Sequence, residues 1–183
     1  MQTLEFRGDH VRMVAALFSV VATCNDARHY LRGVYADKEH LIGTNGHVVA
    51  YFKHNQTVTH PFIIPARKLP ATTIGITFEN EVAGNEIFSE YSTKKDLSVK
   101  QPTVDRIDGQ FPDNWERVAD IPEHDRVEGD LSRSHVSFQP ALIMPILKSL
   151  KEDRVLFEQF GDKIRASIKG FPDLNVMIMS VKI

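Results

Sequence analysis

The sequence predicts an α+β fold built from a repeated unit of one strand, one helix and several further strands. Two observations carry this prediction. Segments that alternate polar and apolar residues, as strands do, are separated by turn residues along most of the chain. Two stretches, beginning near residues 10 and 139, instead place apolar residues at helical spacing. The order strand, helix, strands recurs about every 60 residues, so we expect three units in 183 residues.

The composition is that of an ordinary globular protein. Apolar residues make up 42% and charged residues 25%, so the chain can bury a core. The formal net charge is -2, so any contact with nucleic acid must come from an uneven distribution of charge. A single cysteine, Cys24, excludes an internal disulfide and a multi-cysteine zinc site. The sequence has neither a signal peptide nor an apolar run long enough to cross a membrane, so we expect a soluble, cytoplasmic protein. We also expect no cofactor and no metal.

The first unit begins with a strand at residues 2–7, "QTLEFR", followed by Gly8 and Asp9 as a break and helix start. The helix that follows has one apolar stripe and a second face that carries His10, Arg12 and Ser19. "LRGVYAD" and "HLIGTNGHVVAYFKH" then predict a meander of strands. The residues of the stripe are Val11, Val14, Ala15, Phe18 and Val21.

The second unit starts at "HPFIIPARKLPA", a short apolar strand followed by a basic stretch. Pro65 and Pro70 leave room for a short helix at most. Three strand-like segments follow, "TIGITFEN", "EIFSEYST" and "LSVKQPTVDRID".

The third unit is a strand "HVSF" (135–138), a helix at about 139–151 and three strands up to the C-terminus. Pro140 suits the first turn of that helix, and Pro145 is expected to kink it. The polar segment 123–133 is the expected linker, which divides the chain into a complete domain, 1–122, and a half domain, 134–183. The helix stripe is Leu142, Ile143, Ile146, Leu147 and Leu150.

No catalytic site is predicted. Cys24 ends an apolar helix face without a nucleophile motif, so a buried or incidental thiol is favoured over a nucleophile. The eight histidines are scattered singly, and no metal or phosphate motif occurs. A group of aspartates lies among glycine and proline residues, where turn formation is the simpler explanation. These aspartates are Asp108, Asp113, Asp120 and Asp125.

Basic residues fall in or beside the three predicted helical segments. They could line one common surface for a polyanion, and they are equally consistent with solvated helix faces. These residues are Arg7, Arg12, Arg28, Arg32, Arg67, Lys68, Lys148 and Lys151.

Several motifs, in order along the chain, resemble the beta sliding clamp of bacterial DNA polymerase III. Asp26, Arg28, Tyr30, Leu31 and Gly33 match a D-x-R-x-Y-L-x-G pattern of the clamp's middle domain. "GTNGHVVA" is similar to the family's T-D-G-H-R-L-A hairpin, and "FIIPARK" to its V-x-V-P-R-K segment. "IDGQFPDNWERV" resembles D-G-x-F-P-D-Y-x-R-V, and "VMIMSVKI" resembles the C-terminal V-V-M-P-M-R-L. Residues 1–122 resemble a whole middle domain, and 134–183 the second half of the last domain.

The resemblance implies the DNA clamp fold, with antiparallel sheets outside and helices on the inner face of a ring. It implies a noncatalytic processivity factor that encircles or lies along duplex DNA and tethers a polymerase and other clamp-binding proteins. Clamp rings contain twelve such units, so with three units per chain we hypothesise a homo-tetrameric ring in which half domains of neighbouring chains pair. A half domain needs such a partner to bury its core. The expected DNA-binding residues are Arg12, Arg28, Tyr30, Arg32, Arg67, Lys68, Lys148 and Lys151.

The resemblance also implies an apolar groove that receives short peptides from partner proteins. A charged residue in place of His47 or Val49 is expected to abolish partner binding and leave the fold intact. The expected groove residues are Thr44, Gly46, His47, Val48, Val49, Arg117 and Val118 on one wall and Met177, Met179, Ser180 and Val181 on the other.

Two alternatives stay open at this point. One is a clamp-derived adaptor, from a phage or mobile element, that binds replication proteins without encircling DNA. The other is an enzyme with an unrecognised site around Cys24 or the histidines. For His47 itself, the Asn45-Gly46 pair before it predicts a hairpin turn, because both residues tolerate positive φ.

Overall fold

The computed structural model describes residues 1–25, 27–112, 115–119 and 138–179, and it confirms the α+β class. The described helices are α1 (Asp9–Val21), α2 (Trp115–Ala119) and α3 (Met144–Leu150), with short 3-10 helices at His29–Arg32 and Pro140–Leu142. The strands are β1 (Gln2–Arg7), β2 (Gly33–Ala36), β3 (His40–Thr44), β4 (Val48–Lys53), β5 (Phe62–Pro65), β6 (Thr73–Asn80), β7 (Glu86–Thr93), β8 (Val99–Lys100), β9 (Val104–Asp105), β10 (Val155–Phe160), β11 (Lys163–Ile168) and β12 (Asn175–Met179).

Within the described residues the strands form two antiparallel sheets. The smaller sheet has the order β1-β6-β7, and β8 and β9 both pair with β7. The larger sheet has the order β10-β11-β12-β4-β3-β2-β5. Strands from the two ends of the chain therefore share one sheet, joined where β12 pairs with β4. The predicted linker, 123–133, lies outside the described residues, and the division into domains stays a prediction.

The strands that lead the first two units are exchanged between them. β1 pairs with β6 over its whole length, from Gln2 opposite Asn80 to Arg7 opposite Gly75. β5 pairs in the same way with β2, from Gly33 opposite Pro65 to Ala36 opposite Phe62. Neither leading strand pairs with the first strand of its own meander. The two units therefore close on each other and not on themselves.

Helix α1 is the centre of the main core. The expected stripe is buried except for Ala15, which is half-buried beside Arg12 and Ser19 on the exposed side. α1 also buries side chains that the stripe does not include, because both sheets and α3 pack around it. A periodic stripe predicts one buried face, whereas a helix enclosed on three sides buries more of its side chains. The additional buried residues are Met13, Ala16, Leu17 and Val20.

The second unit has no helix between β5 and β6, so the expectation of even a short one is wrong. Residues 66–72 are irregular, with Pro65 directly before them and Pro70 within them. The face of the smaller sheet that points to the main core is instead covered in part by Leu69, which packs against this core.

Pro145 begins α3 and does not kink it. The expected long helix is divided into the 3-10 helix Pro140–Leu142 and the α-helix Met144–Leu150. Pro145 lies in the first turn of α3, where its missing N–H costs no intrahelical hydrogen bond. The chain therefore uses each proline as the start of a helical segment.

A second apolar cluster, hereafter the outer cluster, covers the face of the larger sheet that points away from the main core. We call this face the outer face. Phe111 stacks on Tyr35 with ring centroids 4.5 Å apart. Trp115 packs edge-on against His40 and Tyr51 at 5.2 and 5.4 Å. The segment that supplies Phe111 and Trp115 thus seals a face that would otherwise expose aromatic side chains.

Gly33, in the D-x-R-x-Y-L-x-G pattern, is required by a close approach and not by a left-handed backbone. Its φ is -140°, which any residue adopts. A Cβ at this position would lie 2.5 Å from the Ile63 side chain, 2.7 Å from the Ile64 carbonyl oxygen and 2.8 Å from the Ile107 side chain. Glycine therefore lets β2, β5 and the segment after β9 meet at one point.

Replacing Gly33 with alanine should lower the free energy of unfolding by about 1–3 kcal/mol, because the added methyl group meets backbone as well as side chains. The matched control is Gly84→Ala, where the added Cβ meets the flexible Glu81 side chain at 3.0 Å. That control should change the free energy by less than about 0.5 kcal/mol. Urea denaturation measures both, and equal stabilities of the two variants would contradict the packing argument.

Candidate functional site

The hairpin between β3 and β4 is held by side chains as well as by backbone. Gly46 has φ +90°, and among the described non-glycine residues only Lys151 has positive φ. Asn45 therefore does not use the positive φ that it can tolerate. Its Oδ1 accepts the N–H groups of His47 (3.0 Å) and Val48 (2.9 Å), and its Nδ2 donates to Thr23 Oγ1 (2.9 Å). The turn projects His47 into solvent.

The two expected walls of the groove are brought together by strand pairing. Val49 in β4 lies opposite Met177 in β12, and the Met179 N–H donates to the His47 carbonyl oxygen at 2.8 Å. Residues more than 125 positions apart in sequence thus become direct neighbours. The C-terminal strand and the first hairpin form one continuous surface.

Arg117 joins this surface through Lys163. The Lys163 Nζ donates to the Arg117 carbonyl oxygen at 3.0 Å, and Lys163 lies opposite Met179 in the β11–β12 ladder. Arg117 itself is exposed. The short helix α2 is therefore fixed beside the end of β12.

Not every expected groove residue presents its side chain to the outer face. Val48 is fully buried in the main core, on the other side of the sheet. Val49 and Met177 are buried in the outer cluster, at 8% and 2% exposure. A charge at Val49 would be buried and would disturb the fold, contrary to the expectation from sequence. His47 is the exposed position at which a charge leaves the core intact.

Of the remaining groove residues, Thr44 is buried beside the turn, and its Oγ1 accepts the Gly46 N–H at 3.1 Å. Met179 is half-buried. The side chain of Val118, and Ser180 and Val181, lie outside the described part of the structure.

A cleft of about 760 Å³ lies close to these residues along β4 and β12. Tyr51 and Asn175, which are paired opposite each other, lie on its wall with Trp115 and Arg165. The cleft also carries Lys53, Glu116 and Asp173, so its charge is mixed, and its aromatic wall suits a peptide with apolar side chains.

Trp115, Tyr51 and His40 line the cleft, and none of the three is among the site residues predicted from the sequence. The available signal was the aromatic residue in the "FPDNWERV" motif, where the family pattern has tyrosine.

Three of the eight expected DNA-binding residues gather where α1 meets the end of α3. The Arg12 guanidinium donates to the Leu150 carbonyl oxygen and lies 4.9 Å from the Phe171 ring centroid. Lys148 is in the last turn of α3, and Lys151 caps it in a left-handed conformation with φ 54°. Both lysines are exposed. We name Arg12, Lys148 and Lys151 the helix-end basic cluster.

An acidic group moderates the charge of this cluster. Glu152 Oε1 accepts hydrogen bonds from Arg154 Nε (3.2 Å) and from the N–H groups of Asp153 and Arg154. Bonding to the Arg154 side chain, then to these N–H groups, lowers the pKa of the Glu152 carboxyl to about 2. Glu152 is therefore ionised at neutral pH. A negative charge thus lies at the border of the helix-end basic cluster.

Three further expected residues lie on another part of the molecule. Arg28, Tyr30 and Arg32 belong to the 3-10 segment before β2, and Tyr30 packs against the outer cluster.

Arg67 does not lie on an exposed helix surface. Its guanidinium donates to Ser89 Oγ and lies 5.8 Å from the ring centroid of Phe78, a core residue. Burial lowers the pKa of Arg67, and two of its buried nitrogens have no hydrogen-bond partner. Its neighbour Lys68 is exposed. Arg67 therefore lies against the smaller sheet, in the place where a helix was expected to cover it.

The described residues contain no group of three or more histidine, cysteine or acidic side chains placed to hold a metal ion. Cys24 is buried in the outer cluster. His29 Nε2 is 2.6 Å from the Asp108 carbonyl oxygen, a long-range contact between the first 3-10 helix and the segment after β9. Asp113, Asp120 and Asp125 lie outside the described residues.

Comparison with known proteins gives the same fold by structure alone. No protein-family model and no curated protein matches the sequence. Three solved structures illustrate the structural likeness. DNA polymerase III subunit beta from Borrelia burgdorferi superposes with TM-score 0.64 at 11% identity, covering 99% of this chain and 63% of that one. The Bartonella birtlesii sliding clamp, solved with griselimycin, has TM-score 0.61 at 14% identity, with 100% and 66% covered. The beta subunit from Thermotoga maritima gives TM-score 0.61, 14% identity and the same coverage as the Bartonella clamp.

The chain thus has the fold of bacterial sliding clamps and spans about two thirds of their length. The resemblance predicted from the motifs is confirmed at the level of the fold. No helix in the described ranges is long and apolar enough to cross a membrane.

Proposed function

We propose that this protein is a noncatalytic, clamp-like processivity factor that binds duplex DNA without sequence specificity and tethers a polymerase and other partners. The observation that carries the proposal is the pairing of β12 with β4, within a clamp fold that extends over the whole chain. That pairing joins the two segments whose motifs resemble the groove of the family. An adaptor that does not encircle DNA remains the competing function.

The proposed assembly is a homo-oligomeric ring, with four chains as the hypothesised number. In this ring the sheets face outward and the helices line the inner face, so that α1 and α3 approach DNA together. The helix-end basic cluster would then contact phosphates, which requires no base recognition. The cytoplasmic location expected from the sequence stays a prediction.

The proposed partner surface comprises His47, Met179 and Arg117, continued by the cleft at Trp115. Met179 supports this role because a flexible thioether adapts to different apolar side chains. The exposed His47 forms the rim, and Val49 and Met177 form a buried floor.

A clamp should be retained on circular DNA by topology and released when the circle is cut. The protein, at tens of micromolar so that rings open and close by mass action, is incubated with nicked circular plasmid. The complex is then isolated by gel filtration in moderate salt. We expect comigration with the circle and loss of most of it after one restriction cut. Equal retention on both forms, or retention on neither, contradicts a sliding clamp.

Charge reversal tests the helix-end basic cluster in the same assay. Lys148→Glu with Lys151→Glu should reduce binding to duplex DNA and lower the slope of log affinity against log salt by about 2. The matched control, Lys38→Glu with Lys94→Glu, makes the same change in net charge at exposed lysines outside α1 and α3. An equal loss in the control pair would show that only the net charge matters.

Griselimycin, which a Bartonella birtlesii clamp binds in a solved structure, is a probe for the partner surface. Trp115 is the only tryptophan, so its fluorescence reports on the cleft directly. We expect griselimycin to change this emission and His47→Glu to weaken binding at least tenfold. The control is His60→Glu, a substitution of the same type at an exposed site that precedes β5. Unchanged affinity in His47→Glu would contradict the proposed rim.

A further inference from the structure

The two edge strands of the larger sheet, β5 and β10, differ in how their free sides are covered. At one end, β5 is short and terminates at Pro65, and its Ile63 carbonyl oxygen accepts the Ile107 N–H at 3.2 Å. At the other end, no strand of the described chain covers the far side of β10. β10 has the sequence VLFEQF, with no lysine or proline to discourage pairing. One edge is therefore protected, and the other is open and apolar.

The backbone of β10 shows which groups the open edge presents. The Lys169 N–H donates to the Arg154 carbonyl oxygen at 3.1 Å, and the β10–β11 register continues from Val155 opposite Ile168. In an antiparallel ladder, alternate residues point their backbone groups to the same neighbour. Arg154 faces β11, so the backbone groups of Val155 and Phe157 face away from it, towards the open edge.

Apolar side chains accompany this edge on both faces of the sheet. Leu156 is 63% exposed on the outer face, and Phe157 is 37% exposed on the face that α3 covers. Met144 of α3 is 42% exposed, and the half-buried Phe138 ring lies 4.9 Å from that of Phe157. In β2, by contrast, Gly33, Val34 and Ala36 are buried. The equivalent strand of the third unit lacks the cover that β2 has.

The first two units show what supplies that cover. β2 and β6, the first strands of their meanders, each pair with the leading strand of the other unit, β5 and β1. β10 is likewise the first strand of the meander that follows α3. Among the described residues no strand lies on the free side of β10, and a second molecule can supply one. Pairing of the β10 edges of two identical third units satisfies both edges at once.

We propose that the free edge of β10, with Phe157, Leu156 and Met144, forms a two-fold symmetric interface with the third unit of a second copy of this chain. The interface deepens the proposed ring, because it specifies one of the contacts by which chains join, but it does not require DNA binding. Each copy contributes the same surface, as an isologous contact demands. The strand ladder then continues across two chains, and the apolar ends of the two α3 helices are covered.

Native mass of the full chain tests the interface without DNA. We expect an even multiple of the 20.8 kDa of one chain at micromolar concentration. Phe157→Glu, which places a charge at the centre of the interface, should halve that mass. The matched control is Phe88→Glu: Phe88 has similar exposure, 40%, and lies on β7, an internal strand of the smaller sheet. It should leave the mass unchanged.

Hydrogen exchange distinguishes loss of the interface from unfolding of the variant. In the wild type, peptides that contain Val155 and Phe157 should be protected at both amides, although no described strand of the same chain pairs with them. In Phe157→Glu this protection should be lost, whereas peptides of β11 and β12 stay protected. A monomeric wild type, or an assembly whose mass and protection survive Phe157→Glu, overturns the interface. An even-numbered assembly that DNA circles do not retain keeps the interface and contradicts the proposed clamp.

Discussion

The antiparallel pairing of β12 with β4 is the interaction on which the rest of the structure depends. It joins the last strand of the chain to the first hairpin, and so extends one sheet across segments that the sequence separates widely. The same pairing sets α3 against α1, which buries Ile146 and Leu150 in the common core. It also places His47 beside Met179. Fold, helix packing and the proposed partner surface therefore share one ladder of hydrogen bonds.

The missing helix of the second unit changes the chemistry of the core. A helix stripe would cover the inner surface of the smaller sheet with apolar side chains. This chain uses Arg67 there, next to Phe78 and Ser89, and also buries Asn80 completely. Buried polar groups of this kind lower stability unless they are paired. The second unit thus contributes strands to the fold, and α1 and α3 provide the helical surface.

Local pattern predicted the elements better than it predicted their partners. Alternation located β1, β6 and β7, and the order of the motifs indicated the clamp fold. Sequence periodicity carries no information on which strands pair over long distances, so the exchange of β1 and β5 and the joining of β12 to β4 needed the structure. Arg67 was assigned to a DNA surface because it lies beside the expected second helix, which the structure does not form. Trp115 was not assigned to the site, because its role depends on the segment that folds over the outer face.

The central claim is that several copies of this chain close into a ring around a duplex-sized hole. Negative-stain electron microscopy of the native protein tests it most directly, since shape separates a ring from an adaptor without knowledge of the partner. We expect annular particles with a central opening wide enough for duplex DNA and a mass of about 83 kDa, four times the 20.8 kDa of one chain. Compact or elongated particles without an opening would contradict it.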